Sequence, residues 1–195
     1  ESGVRYRLEG YLFPATYGYG KDSKMEDLVD QMLAAMDQNL SAYYDTMEAK
    51  NIDVNEALTL ASLIEKEGAT DKDRKDIASV FYNRLNQDMP LQSNIAILYA
   101  QGQLGKKTTL KEDATIDTNI DSPYNIYKNT GLMPGPVDSP GVSAIEAAVN
   151  PGKTDYLYFV ANVETGEVYF AKTYEEHTKN VEEHVNSKLT ESSSN

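Results

Sequence analysis

Two glutamates, Glu65 and Glu67, stand at the end of a stretch that is otherwise largely apolar. Asp53 followed by Glu56 forms a capping box that predicts a helix start, and Gly68 is a residue type that commonly ends a helix. A carboxyl group on an apolar helix face loses hydration, which disfavours its charged form. A carboxyl that keeps its proton at neutral pH is what a general acid requires. The pattern therefore indicates a candidate acid catalyst at the end of this helix.

Helical spacing assigns the residues of this stretch to three faces. One apolar stripe ends at Glu65, a neighbouring stripe ends at Glu67, and a narrow third face is polar. The members are, in turn, Val54, Leu58, Ala61 and Glu65; Leu60, Ile64 and Glu67; and Thr59, Ser62 and Lys66. A glutamate in the last turn of a helix also commonly reaches solvent or meets a lysine. Periodicity does not choose between these interpretations, nor between Glu65 and Glu67.

Composition narrows the range of partners. The chain has 195 residues and a net charge of −13, with 40% hydrophobic and 25% charged residues. This composition predicts a packed domain rather than disorder. The negative charge argues against binding nucleic acid or anionic lipid, because both need clustered basic residues. Cysteine is absent, which excludes disulfides and thiolate chemistry. We expect neither a cofactor nor a metal.

Apolar periodicity predicts an α+β fold, with a mainly helical body and a small antiparallel hairpin near the C-terminus. Helices are expected over residues 22–39, 41–50, 53–67, 73–86, 94–100, 143–150 and 174–188, and strands over 156–161 and 168–171. The expected caps are Asp22 or Ser23 for the first helix, Ser93 or Asn94 for the fifth and Thr173 for the last. Residues 1–189 are expected to form one domain, with 1–20 as an irregular leading segment. Residues 190–195 are predicted to form a disordered polar tail.

The longest stretch without periodicity covers residues 106–140. Loops of this length in compact domains tend to be functional. Tyr124 and Tyr127 stand there among prolines, which favours an ordered surface loop over the active site. A tyrosine suits a sugar ring because it offers a flat face and a hydroxyl, although packing alone also explains each of them. The histidines, His177 and His184, do not have the spacing of a helical metal pair, so we expect solvated side chains.

Seven stretches, taken in order, resemble one protein family. They are EGYLFP at 9–14, ASLIEKE at 61–67, VFYNRL at 80–85, LQS at 91–93, SPYNIY at 122–127, GLMPGP at 131–136 and YLYFV at 156–160. The ordered set, which spans nearly the whole chain, is similar to the catalytic domain of the endolytic murein transglycosylases, the MltG/YceG-like family. Ser93-Asn94 and Met133 depart from the Thr-Asp and Pro that are common in the family. These departures concern the polar contacts rather than the activity.

The resemblance implies cleavage of the β-1,4 bond between N-acetylmuramic acid and N-acetylglucosamine in peptidoglycan strands, leaving a 1,6-anhydro end. It places the catalytic acid on Glu65, the first glutamate of the Glu-Lys-Glu pattern. With that activity, the expected substrate-binding residues are Gln92, Ser93, Tyr124, Asn125 and Tyr127, and the expected supporting residues are Glu67, Asn83 and Glu9.

The resemblance also implies a cellular setting. The sequence begins at Glu1 rather than at methionine, so we expect further chain before it, including a single-pass membrane anchor and most of a LysM-like module. The catalytic domain would then lie outside the cytoplasm at the bacterial cell membrane. Peptidoglycan synthases and other elongation proteins are the expected partners.

Two other functions stay open. A muramidase would use water and a second carboxylate, for which Glu67, Asp121 and Asp117 are the candidates. A non-catalytic glycan-binding scaffold of the cell-wall machinery would bind strands without cleaving them.

Overall fold

The structure is a computed structural model, and it describes residues 3–105, 112, 115–162 and 164–187. Its helices are α1 (Met25–Leu40), α2 (Tyr44–Lys50), α3 (Val54–Glu67), α4 (Asp71–Leu85), α5 (Asn94–Ala100), α6 (Val142–Val149) and α7 (Tyr174–Val181), the last continuing as a π-helical segment (Glu182–Asn186). The strands are β1 (Tyr158–Ala161) and β2 (Val168–Ala171), paired antiparallel. This confirms the predicted α+β fold with a helical body and a C-terminal hairpin. The single-domain boundary at residue 189 stays a prediction.

Helix α3 is the centre of the body and packs against α4, α5 and α6. It starts with the predicted capping box, because Asp53 Oδ1 accepts from the Glu56 N–H at 2.8 Å and Glu56 Oε2 accepts from the Asp53 N–H at 2.9 Å. All eight residues from 57 to 64 are buried. The last turn, which carries Glu65 and Glu67, is the part of the helix that comes out of the core.

The polar face of α3 is buried at two of its three positions. Thr59 and Ser62 are both 0% exposed, because neighbouring elements enclose the helix on that side as well. The Ser62 hydroxyl donates to the Thr59 carbonyl at 2.7 Å and accepts from the Val137 N–H at 3.0 Å. Its polar group is therefore satisfied inside the core, as burial requires. Only Lys66 of this face is exposed.

Side-chain caps account for several helix starts. Ser93 caps α5 and Thr173 caps α7, as predicted. Helix α4 begins earlier than expected, because Thr70 accepts from the Asp73 N–H at 3.1 Å. The predicted cap of α1 is wrong: Lys24 occupies that position without a side-chain cap, and Ser23 Oγ accepts from a loop N–H instead.

The segments outside the helices pack closely on this body. The backbone of Gly10 has φ +82°, and a Cβ there would lie 2.2 Å from Pro136 Cβ, so the leading segment docks tightly on the 131–136 stretch. Residues 115–140 are irregular but send Tyr124, Ile126 and Val137 into the core. The rest of the predicted loop, 106–111 and 113–114, lies outside the described residues, as do 188–195.

The hairpin completes the fold beside the end of α3. Tyr158 lies opposite Ala171 and Ala161 opposite Val168. The Phe159 ring meets the Phe81 ring edge to face at 5.7 Å, which attaches the hairpin to α4. Helix α7 packs across both strands. Within the described ranges, no helix combines the length and apolar character needed to cross a bilayer.

Candidate active site

A groove of about 980 Å³ lies between the end of α3, the start of α5 and the hairpin with α7. The elements contribute Glu67 from α3, Asn94 and Ile95 from α5, Phe159 from β1 and His177 from α7. Its volume is at the upper end of the roughly 300–1,000 Å³ typical of ligand sites. The groove therefore has room for an extended ligand.

Glu67 is the glutamate of the pair that lines this groove. The Ser93 hydroxyl donates to Glu67 Oε1 at 2.6 Å. Ser93 also caps α5 by accepting from the Ile95 N–H at 3.2 Å, and the residue is 2% exposed. The carboxyl group of Glu67 is thus held by a buried donor that is itself fixed at a helix start.

Glu65 faces the other side of α3. Two residues along a helix correspond to a rotation of about 200°, so Glu65 and Glu67 point nearly opposite ways rather than along the neighbouring stripes expected from the sequence. Glu65 Oε2 accepts from the Gly141 N–H at 3.1 Å, and Oε1 lies 3.6 Å from the Arg74 guanidinium. These contacts join α3 to the start of α6 and to α4. Glu65 does not line the groove.

Gln92 and Tyr127 line the groove, as expected of substrate-binding residues. Gln92 adopts φ +58°, an uncommon conformation for glutamine that often marks functional sites. Its N–H donates to the Ile126 carbonyl at 3.0 Å. The Tyr127 hydroxyl donates to Asn94 Oδ1 at 2.6 Å. Together with Ser93, these residues form a polar edge beside Glu67.

Tyr124 and Asn125, which were also expected to bind substrate, do not line the groove. Tyr124 is 3% exposed, with its ring centre 4.8 Å from that of Tyr99. Asn125 is 0% exposed, and its amide donates to the carbonyls of Thr118 and Ile120 at 3.0 and 2.7 Å. Tyr124 packs against α5, and Asn125 bonds within its own segment, so both side chains are buried away from the groove lining.

Of the three expected supporting residues, Glu67 lines the groove, whereas Asn83 and Glu9 lie outside it. The Asn83 amide donates to the Thr154 and Tyr156 carbonyls at 3.0 and 2.9 Å, which attaches α4 to the chain entering β1. Glu9 lines a second, smaller cavity, where burial and the charge of Asp138 raise its pKa.

The candidate second carboxylates Asp117 and Asp121 are exposed and do not line the groove. In the described part of the chain, the carboxylates that do line it belong to Glu67 and to Glu164, at the hairpin turn.

Two groove residues, Arg84 and His177, were missed as site residues. Arg84 is 5% exposed; its Nε donates to the Leu157 carbonyl at 2.6 Å, and its guanidinium carbon lies 5.0 Å from the Tyr158 ring centre. Burial lowers the pKa of Arg84. Arg84 follows Ile77 and Phe81 at helical spacing. A charged residue on this apolar stripe is the sequence feature that could have identified it as a groove residue.

His177 is half-buried, whereas a solvated side chain was predicted. Its ring stacks on that of Tyr158, with centres 5.3 Å apart. Burial, with a further contribution from Arg84, lowers the pKa of His177, so its imidazole is neutral at neutral pH. His184 stacks on Tyr169 with ring centres 3.6 Å apart. The described residues contain no group of three histidine or acidic side chains arranged to hold a metal ion.

Comparison with known proteins gives consistent matches. Residues 1–183 match the YceG-like family. A protein of Streptococcus pneumoniae serotype 2 (strain D39), named endolytic murein transglycosylase, is 67% identical over 97% of this chain and 34% of its own length. A Bacillus subtilis (strain 168) protein of the same name is 47% identical over 95% of this chain and 50% of its own.

A crystal structure of a yceG-like protein from Listeria monocytogenes superposes with a TM-score of 0.83, at 49% identity, over 92% of this chain and 57% of that one. The chain thus spans between a third and a half of the length of these two curated relatives. Because the family match covers residues 1–183 and the relatives are 67% and 47% identical, the chain belongs to the YceG-like family.

Proposed function

We propose that this chain is the catalytic part of an endolytic peptidoglycan transglycosylase. The observation that carries the proposal is the position of Glu67, a carboxyl group in a groove of about 980 Å³, held by the Ser93 hydroxyl at 2.6 Å. The names of the Streptococcus pneumoniae and Bacillus subtilis relatives support the same activity. The substrate is the glycan strand of peptidoglycan.

Glu67, rather than Glu65, is the proposed acid. A general acid must reach the proton acceptor on the substrate. Glu67 lines the groove, whereas Glu65 lies outside the groove lining, against Gly141 and Arg74. The sequence pattern identifies both glutamates as candidates. The choice between them rests on what packs on each side of α3.

The proposed reaction uses one carboxyl group twice. Protonated Glu67 gives its proton to the glycosidic oxygen, and the bond from that oxygen to C1 of N-acetylmuramic acid breaks. The Glu67 carboxylate then takes the proton of the 6-hydroxyl of the same sugar, whose oxygen forms the new bond to C1. The product carries a 1,6-anhydro ring, no water is consumed, and the acid is regenerated. The internal nucleophile benefits from proximity.

Neighbouring groups have supporting roles in this reaction. Ser93 orients the carboxyl group, and Gln92 and Tyr127 offer an amide and a hydroxyl within the same groove. Neutral His177 and buried Arg84 form part of the lining on the hairpin side. Polar groups fixed in place before substrate arrives stabilise developing charge without reorganising.

Hydrolysis by water is the second candidate, because Glu164 gives the groove a further carboxylate. Ordinary glycoside hydrolysis uses two carboxyl groups flanking the bond. Glu164 lies at the exposed hairpin turn, whereas Glu67 lies beside a buried donor, so the arrangement favours the one-carboxyl reaction.

Mass spectrometry of the products tests the proposal. Purified peptidoglycan is digested with the natural full-length protein, and the new ends of the fragments are identified. We expect 1,6-anhydro-N-acetylmuramic acid ends released from within strands. Reducing ends would instead indicate the hydrolase, and binding without any new ends would indicate a glycan-binding scaffold.

The proposed setting is the outer side of the bacterial cell membrane. A peptidoglycan-cleaving domain must meet its substrate there, so we propose that the natural protein carries a membrane anchor and acts near peptidoglycan synthases. Labelling this domain in intact cells with a reagent that does not cross the membrane tests its side. Protection of the domain from that reagent would contradict the proposal.

A further inference from the structure

A second cavity adjoins the groove. Its volume is about 330 Å³, which also lies within the size range of ligand sites. Lys66, Leu104 and Gly105 line both spaces, so the second cavity continues the groove past the end of α3. Its other side is formed by the leading segment through Arg5, Tyr6 and Glu9.

Tyr6 gives this cavity an available aromatic surface. The residue is 57% exposed, although a tyrosine ring has much apolar area to bury. The guanidinium carbon of Arg5 lies 5.5 Å from the centre of the Tyr6 ring. An exposed ring at the edge of a polar cavity suits a ligand that has both flat apolar faces and hydroxyl groups.

The cavity walls are fixed before any ligand binds. Arg5 Nη1 donates to the Tyr99 carbonyl at 2.7 Å, and the Arg5 N–H donates to the Tyr124 hydroxyl at 3.2 Å. The close approach of Gly10 to Pro136 holds the next turn of the leading segment against the 131–136 stretch. A preformed wall saves the entropy that ordering would otherwise cost.

The charges around the cavity balance. Arg5 and Lys66 are cationic, and Glu9 and Asp138 are acidic. Lys66 Nζ pairs with Asp138 Oδ2 at 2.9 Å. Equal numbers of opposite charges favour a neutral ligand with many hydrogen-bonding groups over a phosphate or a peptide of strong net charge. Sugar hydroxyls and N-acetyl groups fit this description.

We propose that the second cavity binds sugar rings of the same strand that reacts at Glu67, with Tyr6 stacking on one of them. The inference rests on the proposed function, since an enzyme that cuts inside a strand must hold rings on both sides of the broken bond. A strand long enough to reach Tyr6 then binds better than a short one. The cavity thereby sets a preference for longer strands.

The test compares strand lengths. Purified unbranched strands of alternating N-acetylglucosamine and N-acetylmuramic acid, one short set and one long set, are cleaved by the natural full-length protein. The measured quantity is the ratio of kcat/KM for long strands to that for short strands. We expect Tyr6→Ala to lower this ratio about 2- to 10-fold, the effect of losing one ring stack. Tyr6→Phe keeps the ring and should keep the ratio.

Tyr19→Ala is the matched control. Tyr19 stands in the same leading segment and is 61% exposed, but it lines neither cavity. The inference is overturned if Tyr6→Ala leaves this ratio unchanged. It is also overturned if Tyr19→Ala lowers the ratio as much as Tyr6→Ala does. Equal slowing of both strand sets by Tyr6→Ala also overturns it, because that pattern indicates a structural role. Cleavage of neither set by the unmodified protein overturns the proposed function itself, and this inference with it.

Discussion

Replacing Ser93 with alanine tests how the groove holds its acid. The Ser93 hydroxyl donates to Glu67 Oε1 at 2.6 Å, and the residue is 2% exposed, so water has little access to replace it. A hydrogen bond to a charged group contributes about 1.5–3 kcal/mol. If that contribution orients the carboxyl group in the transition state, kcat falls about 10- to 150-fold.

The same substitution removes a helix cap, which must be separated from the effect on Glu67. Ser93 Oγ accepts from the Ile95 N–H at 3.2 Å, and losing such a cap costs about 0.5–2 kcal/mol of stability. Thr70→Ala is the matched control, since Thr70 caps α4 by accepting from the Asp73 N–H at 3.1 Å and does not line the groove. Both variants should lose stability, and only Ser93→Ala should lose kcat.

The assay is the initial rate of 1,6-anhydro product release from purified glycan strands, with thermal unfolding measured in parallel. A Ser93→Ala protein that is folded and keeps kcat within about twofold of the unmodified protein would refute the reasoning. So would an equal loss of kcat in Thr70→Ala.

The remaining predictions concern stability. Asn125→Ala should lower the free energy of unfolding by about 2–4 kcal/mol, because it leaves the Thr118 and Ile120 carbonyls without their buried donor; urea denaturation measures this. Tyr82→Phe should cost about 1–2 kcal/mol in the same assay, since it removes a 2.7 Å bond from α4 to an α6 carbonyl. Burial and Asp138 raise the pKa of Glu9; the folded state therefore binds its proton more tightly than the unfolded state, and ionisation destabilises the fold as pH rises above 4.5. Glu9→Gln should raise the melting temperature at neutral pH and leave it alone in acid, and a gain that is the same at both would contradict this origin.

Features that depend on neighbours in the chain could be predicted from the sequence. The capping box of Asp53 and Glu56 and the caps at Ser93 and Thr173 form as expected, because each bonds an N–H two or three residues away. The hairpin follows from two β-prone runs and a short turn containing Gly166, which adopts φ +75°.

Features that depend on distant segments could not be predicted in this way. Periodicity places Thr59 and Ser62 on a polar face, but both are buried, and Val137 of the 131–140 region bonds the Ser62 hydroxyl. A helical wheel gives the angle between Glu65 and Glu67 and does not give the direction of the groove. That direction is set by α5 and the hairpin on one side of α3 and by α4 and α6 on the other.

The most direct measurement compares kcat for Glu67→Gln and Glu65→Gln, two identical chemical changes two residues apart. A general acid contributes about 10²- to 10⁴-fold to a rate, so Glu67→Gln should lose at least about 100-fold while remaining folded. Glu65→Gln loses an ion pair with Arg74 at 3.6 Å and should lose stability by about 1 kcal/mol with kcat within about threefold of the unmodified protein. The reverse order of the two kcat values would contradict the account of this groove.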